Sequence, residues 1–332
     1  MPKHFGPLAR AAFQGNVDAI RQRLAQRPYS QDSLQDALLY AATGGYLEIV
    51  ELLLGAGAAI NTGGAGWDKR YTALMAAARH GYFNIVRLLV ARGAAINYLD
   101  GYRLNALAYA AWSGHGGIVK FLLAHGADAN VIGKGTTALA CAAESGHVEI
   151  ARMLLAAGAD IHARKGGATA LLCAAKEGRL AMVRFLASQG ANLKETTADG
   201  ETALLLAANG GYVEICRFLL REGLNVNAAD KNGLTPLMLA CNGYATKTIR
   251  LLLDAGADTN AISRHGDTPL TYAAYHEGYD ILRLLLTHGA HRGLNRAISI
   301  AKDLDNAPVL AMLQAAAMEN QKTGNVHGTS RI

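Results

Sequence analysis

Residues 137–158 read TALACAAESGHVEIARMLLAAG, and this stretch holds the features that decide the fold. Thr137 stands where a side-chain hydroxyl can cap the start of a helix. The alanine pair at 142–143 gives that helix a small face, against which a neighbouring helix can pack closely, and Gly146 ends it. The apolar residues that follow recur at helical spacing, which predicts a second amphipathic helix ending at Gly158 in the left-handed conformation.

The same pattern recurs along the chain with a nearly constant period. A leucine that in most units follows Thr-Ala or Thr-Pro occurs at Leu38, Leu74, Leu107, Leu139, Leu171, Leu204, Leu237 and Leu270. The glycine that ends each second helix occurs at Gly57, Gly93, Gly126, Gly158, Gly190, Gly223, Gly256 and Gly289. Both landmarks give intervals of 36, 33, 32, 32, 33, 33 and 33 residues. The sequence therefore predicts stacked helix-turn-helix units.

These units resemble the ankyrin repeat family. The resemblance rests on TPLMLA at residues 235–240 and TPLTYA at 268–273 in the first helix, and on GADAN at 126–130 after the second. It implies an all-α ankyrin-repeat solenoid of helix-turn-helix units with protruding inter-repeat turns. It also implies that partners bind a concave face made of the first helices and the turn tips. The resemblance is specific for the fold and names no partner.

We expect about eight full repeats between degenerate caps, because terminal repeats need a polar outer face. The expected segments are an N-terminal capping unit at 1–33, the repeats at 34–292, a C-terminal helical cap at 293–318 and a disordered tail at 319–332.

Composition excludes several classes of protein. Hydrophobic residues make up 51% of the chain and charged residues 17%, which argues against disorder. The 37 glycines show no three-residue period, which argues against collagen, and four cysteines do not make a disulfide framework. No signal-type apolar run or membrane-spanning run is seen. We expect a monomeric cytoplasmic protein.

Catalytic, cofactor and metal motifs are not found, so the sequence predicts no enzyme. The Gly-Lys-Gly at 133–135 has neither the preceding glycine nor the following Ser or Thr of a phosphate-binding loop. His288 and His291 are close in sequence but have no evident third ligand. Cys141, Cys173, Cys216 and Cys241 fit small buried hydrophobes.

The first half of the chain carries an unusual set of residues at concave positions. The turn at 62–71 makes its repeat three residues longer than the usual period of 33 residues. The next turn and two helix ends add further aromatic and basic residues. The candidates are Trp67, Lys69, Arg70, Tyr71, Arg79, His80, Tyr102, Arg103 and Trp112. Trp, Tyr and Arg are the residue types that dominate binding hot spots. The alternative is that the two tryptophans pack on neighbouring turns within the solenoid.

Corresponding positions further along the chain complete the candidate partner-binding set. They are Lys134, Glu144, Lys165, Lys176, Asn209, Lys231, Arg264, His265, Tyr275 and His276. Charge is concentrated in residues 67–135, where 8 Lys and Arg against 3 Asp and Glu give +5 of the chain's +6. An acidic protein partner is the simplest inference.

Three functional hypotheses follow. The first is a non-enzymatic scaffold that sequesters or positions an acidic protein, either as a bacterial immunity or antitoxin-type inhibitor or as a secreted effector adaptor acting on a host protein. The second is nucleic-acid binding through the basic aromatic half, which the modest charge disfavours. The third is an enzyme, for which the repeats leave no room.

Overall fold

A computed structural model describes residues 6–63, 70–131, 136–276 and 278–326. It divides into two compact units, residues 1–170 and residues 171–332, here called the N-terminal unit and the C-terminal unit. In the described residues both units consist of short helices joined by tight turns, and strand is limited to one two-stranded ladder. The predicted all-α fold class of helix-turn-helix units is confirmed.

The N-terminal unit contains five helix pairs in its described residues. Their bounds are α1 Pro7–Phe13, α2 Val17–Gln26, α3 Gln31–Gly44, α4 Leu47–Gly55, α5 Ala73–His80, α6 Phe83–Ala91, α7 Ala106–Ser113, α8 Gly116–Ala124, α9 Ala138–Ser145 and α10 Val148–Ala156. A hairpin follows, with β1 Arg164–Lys165 antiparallel to β2 Ala168–Thr169. First helices contact first helices from α1 to α9, and second helices contact second helices from α2 to α10, so the unit has two layers.

The C-terminal unit repeats the arrangement from α11, which begins at the boundary. Its helices are α11 Ala170–Lys176, α12 Leu180–Ser188, α13 Ala203–Asn209, α14 Val213–Arg221, α15 Pro236–Asn242, α16 Thr246–Asp254, α17 Pro269–Tyr275, α18 Tyr279–Thr287, α19 Leu294–Asp303 and α20 Ala307–Val326. The last helix thus extends into the stretch for which the sequence predicts a disordered tail, and residues 327–332 lie outside the described residues.

Threonine hydroxyls cap the first helices, as the sequence predicts. The hydroxyl oxygens of Thr72, Thr202 and Thr235 each accept a hydrogen bond from the main-chain N–H three residues on, at 3.3–3.4 Å. Asn105 does the same for α7 at 2.9 Å with its amide oxygen. Each cap satisfies one of the N–H groups that a helix start leaves without a partner.

The aligned glycines end the second helices in the left-handed conformation. All eight have φ between 80° and 88°. The residue after each closes the helix with a further main-chain bond, for example Ala94 N–H to Leu89 O at 3.0 Å. Only glycine adopts this φ without a steric penalty, which explains the spacing of this landmark.

Asparagine side chains join successive repeats within each unit. The Asn97 amide donates to the carbonyl of Gly126 at 3.0 Å and accepts from the N–H of Asp128 at 2.9 Å. Asn260 makes the equivalent donation to Gly289. Each bridge holds the glycine end of one second helix against the preceding turn, which sets the spacing at which neighbouring first helices present their side chains.

Alanine fills the space between the first helices. The paired alanines at 77–78, 110–111 and 142–143 are completely buried. Burial of such small side chains lets the backbones of neighbouring first helices approach closely.

Candidate functional site

The candidate surface of the N-terminal unit consists of the exposed last turns of its first helices and the tips of its inter-repeat turns. We call it the first-helix face. It includes the C-terminal residues of α5, α7 and α9 and the turn at residues 100–104. These positions follow from the repeat, because the buried alanine pair of α5, α7 and α9 lies immediately before the last two residues of each helix.

The turn at 100–104 is built around a buried carboxylate. Asp100 is 1% exposed, and one of its carboxylate oxygens accepts from the Leu104 N–H at 2.7 Å. The other accepts from the Tyr109 hydroxyl at 2.6 Å, and burial, followed by this bond, raises the pKa of Tyr109. Arg103 adopts a left-handed φ of 59°. This bonding ties the turn to α7 and leaves its tip outside.

Two large aromatic side chains of this face are exposed. Tyr102, at the tip of the turn, is 73% exposed, and Trp112, in the last turn of α7, is 44% exposed. Arg103 is exposed beside Tyr102. Exposed aromatic area of this kind is a feature of interaction surfaces.

Arg79 connects α5 to the aromatic residues of α7. Its guanidinium carbon lies 5.5 Å from the ring centre of Trp112 and 5.9 Å from that of Tyr109. Trp112 is therefore in contact with a neighbouring repeat, as the alternative interpretation proposed, and is exposed as well.

Tyr71 differs from the expectation of an exposed turn residue. It is only 9% exposed, and its ring packs edge to face on Tyr109 with 5.3 Å between centres. Burial raises its pKa, and the nearby charge of Arg79 opposes that increase. The physical reason for its burial is its position directly before Thr72, whose capping role draws the chain back onto α5.

His80 lies beside Arg79 on the exposed end of α5. Its ring is stacked near Tyr82, with 6.2 Å between centres. Burial lowers its pKa, and the nearby charges of Arg79 and His115 lower it further. The imidazole is therefore mainly neutral at pH 7, and a carboxylate brought close to it would favour its protonated form.

The structure describes only some of the other predicted residues of the N-terminal unit. Arg70 is exposed and Glu144, in the last turn of α9, is half-buried. Trp67, Lys69 and Lys134 lie outside the described residues, as does the side chain of Lys165, whose backbone belongs to β1.

The C-terminal unit places its predicted residues at equivalent positions. Lys176, Asn209 and Tyr275 occupy last turns of first helices and are exposed, and His276 follows Tyr275. Its ring Nε2 lies 2.9 Å from the amide oxygen of Asn242.

Three residues of the C-terminal unit lie in turns that are hydrogen-bonded to one another. The Lys231 N–H donates to the carbonyl of Asp199 at 2.9 Å, and the Arg264 N–H donates to that of Asn232 at 2.8 Å. His265 follows, and its carbonyl accepts from the Arg296 guanidinium at 3.0 Å. All three side chains are exposed on the outside of this ladder.

Sequence reasoning missed several residues that shape these surfaces. Tyr109 lies one helical turn before Trp112, and that spacing is a signal that could have revealed it. Tyr244 stands where earlier repeats have glycine and adopts a left-handed φ of 55°, with 49% of the side chain exposed. Arg296 bonds to Asp267 at 2.9 Å from the helix after the last predicted repeat, which no periodic pattern reveals.

The described residues show neither a metal cluster nor a membrane-spanning helix. In the parts of the chain with assigned structure, no three His, Cys, Asp or Glu side chains converge on a metal-sized site. None of the helices described is long and apolar enough to cross a bilayer. The four cysteines are buried, as predicted from their apolar positions.

Comparisons with known families agree with the repeat pattern. A family model described as ankyrin repeats in three copies matches residues 61–133, 98–165, 130–197, 162–230 and 222–296. A second one, described as a single ankyrin repeat, matches residues 35–63. A search of curated proteins found no match.

Proposed function

The chain belongs to the ankyrin repeat family, and from that premise we propose that it binds an acidic protein partner through the first-helix face of its N-terminal unit. Ankyrin repeats indicate a protein-protein interaction scaffold, and the family is generally non-enzymatic. The observation that carries the proposal is Arg79 held against the exposed Trp112 within the segment of highest positive charge. Fold alone does not identify a partner, because the residues exposed on the fold determine what binds.

Charge supports an acidic partner over a neutral one. Residues 67–135 carry a net charge of +5, and among their described cations Arg79 and Arg103 are exposed on the first-helix face. Complementary charge speeds encounter and discriminates between partners, while desolvated aromatic anchors supply most of the affinity. Tyr102 and Trp112 are the exposed aromatic residues available for that role.

Two roles fit such a scaffold. In the first, the chain sequesters the partner, as a bacterial immunity or antitoxin-type inhibitor does by covering an active site. In the second, it is a secreted effector adaptor that positions a host protein. We favour the first, with a cytoplasmic monomer as the active form. An inhibitor requires that the activity of the captured protein falls on binding, whereas an adaptor leaves that activity intact.

Nucleic-acid binding is the candidate from another class. It would use the same basic segment, yet the exposed cations of that segment are divided between the two helix layers, with Arg87 on α6 and Lys120 on α8. Phosphate tracking needs a continuous row of Lys and Arg along one face. Binding of duplex or single-stranded DNA with a steep dependence on salt would favour this alternative.

The test is capture from extracts of the source cell with the full chain as bait. The variant combines Trp67→Ala, Tyr102→Ala and Trp112→Ala, and the matched control combines Phe83→Ala with Tyr279→Ala, two exposed aromatic residues on second helices. We expect wild type and control to retain an acidic protein that salt elutes, and the triple variant to lose it. Equal capture by all three proteins would show that the face is wrongly assigned.

A further inference from the structure

The orientation of Arg79 is restrained by two aromatic residues of the next repeat. The rings of Tyr109 and Trp112 lie under its guanidinium from α7. Tyr71 and Tyr109 also pack on each other edge to face. A flexible side chain held by several contacts has already lost much of the conformational entropy that binding would otherwise cost.

The carboxylate of Asp100, in the turn at 100–104, is engaged in hydrogen bonds within the N-terminal unit. Both oxygens of Asp100 accept short hydrogen bonds, one from the Leu104 N–H and one from the Tyr109 hydroxyl. Among the described residues, no Asp or Glu lies within salt-bridge distance of Arg79. Aromatic rings therefore hold the guanidinium of Arg79 in place. The guanidinium has no carboxylate partner among the described residues, although Arg79 is exposed.

We propose that Arg79 is the specificity-determining anchor of the first-helix face and binds a glutamate side chain of an acidic segment in the partner. The proposal rests on the proposed function. The planar guanidinium pairs with a carboxylate through two parallel N–H groups, while the exposed ring of Trp112 offers an apolar surface for the glutamate methylene groups.

Charge complementarity supports a glutamate as occupant. The segment around Arg79 contributes +5, and the adjacent His80 gains a proton more readily when an anion lies beside it. An Arg fork held on rings is not replaceable by lysine, which is a point charge without planar donors. Replacement of Arg79 by lysine therefore distinguishes specific binding of a carboxylate from attraction to the overall positive charge of the segment.

The experiment uses the full chain and a short fluorescein-labelled peptide in which glutamate alternates with glycine, with binding followed by anisotropy. A peptide with glutamine in place of glutamate is the neutral probe. The variants are Arg79→Ala and Arg79→Lys, and Arg87→Ala and Arg87→Lys on α6 are matched controls in the same segment. Thermal unfolding of each variant verifies that it is folded.

We expect both Arg79 variants to weaken binding of the glutamate peptide by roughly tenfold or more, and both Arg87 variants to stay near wild type. Wild-type affinity in Arg79→Lys would overturn the anchor, as would equal binding of the two peptides or no binding of the glutamate peptide by wild type.

The result also separates this inference from the proposed function. If partner capture fails in the Trp67, Tyr102 and Trp112 triple variant but survives in Arg79→Ala, the face is correctly assigned and the anchor is wrong. If capture survives in both, the proposed function fails as well.

Discussion

The imidazole Nε2 of His115 lies 3.0 Å from the main-chain carbonyl oxygen of Arg79. Since a carbonyl can only accept, the ring donates its Nε2–H, which determines the tautomer. His147 makes the same contact with the carbonyl of Trp112 at 3.2 Å. Two residues of the first-helix face are therefore held at the backbone by the repeat that follows each of them.

The first prediction concerns this contact. His115→Phe keeps a ring against Gly81 but removes the donor, so the Arg79 carbonyl loses its partner. We expect the free energy of unfolding to fall by about 1 kcal/mol. Chemical denaturation measures it, and His162→Phe, on an exposed position after α10, is the control. A loss no larger than that of the control would show that the bond contributes nothing.

The second prediction compares two left-handed glycines. Gly114 and Gly57 have φ of 84° and 87°, so alanine is strained at both. A Cβ at Gly114 would lie 2.8 Å from the His147 ring, whereas at Gly57 it would meet no atom within 4 Å. We expect Gly57→Ala to cost about 1 kcal/mol of stability and Gly114→Ala clearly more, because the ring must also move. Equal costs in thermal unfolding would contradict the ring contact.

The third prediction concerns Tyr244. It adopts φ of 55° at the position where Gly211 has 69°, and its ring contacts His276 edge to face. We expect Tyr244→Gly to raise the free energy of unfolding by up to about 1 kcal/mol, since relief of strain exceeds the lost contact. Gly211→Ala is the reverse control and should lower stability. A drop in melting temperature for Tyr244→Gly would show that the exposed ring contributes more than the strain costs.

The fourth prediction is a shifted titration of His80. Burial, then Arg79, then His115 lower its pKa, so NMR of the ring protons should give a value below about 6.5. Arg79→Ala should raise the value part of the way, because burial remains, and Arg87→Ala should leave it unchanged. With a folded pKa below the unfolded one, His80 contributes stability above pH about 6.5 and loses it as pH falls through the folded value.

The fifth prediction is that Cys216 is unreactive in the native protein. Burial raises its pKa to about 12, so little thiolate exists at neutral or mildly alkaline pH. Alkylation by iodoacetamide, read by mass spectrometry, should be roughly a thousandfold slower than in urea. The stability that this raised pKa contributes is full below the unfolded value of about 8.5 and decreases as pH rises above it. Rapid native labelling of Cys216 would contradict its burial.

The fold was largely predictable from local pattern. Threonine before most first helices, alanine pairs within most of them and a glycine after the second helix of each repeat all act over a few residues, so a single chain reveals them. The same pattern also indicated which last turns are exposed, including those of Arg79 and Trp112.

The site was less predictable, because its geometry depends on side chains from different repeats. The sequence placed Tyr71 on an exposed turn, and only packing against Tyr109 showed that it is buried. The carboxylate of Asp100 could have paired with Arg79, and only the folded turn showed that Tyr109 and Leu104 occupy it.

By itself, the sequence determined the family, the helix-turn-helix units and the concentration of positive charge in residues 67–135, because period, capping and charge are local properties of a chain. Only the tertiary structure decided how Arg79 is held, since its rings come from the next repeat and its orientation depends on the stacking distance between α5 and α7. The buried alanines between these helices allow that close distance, and their effect on side chains a repeat away becomes apparent only after the helices have packed.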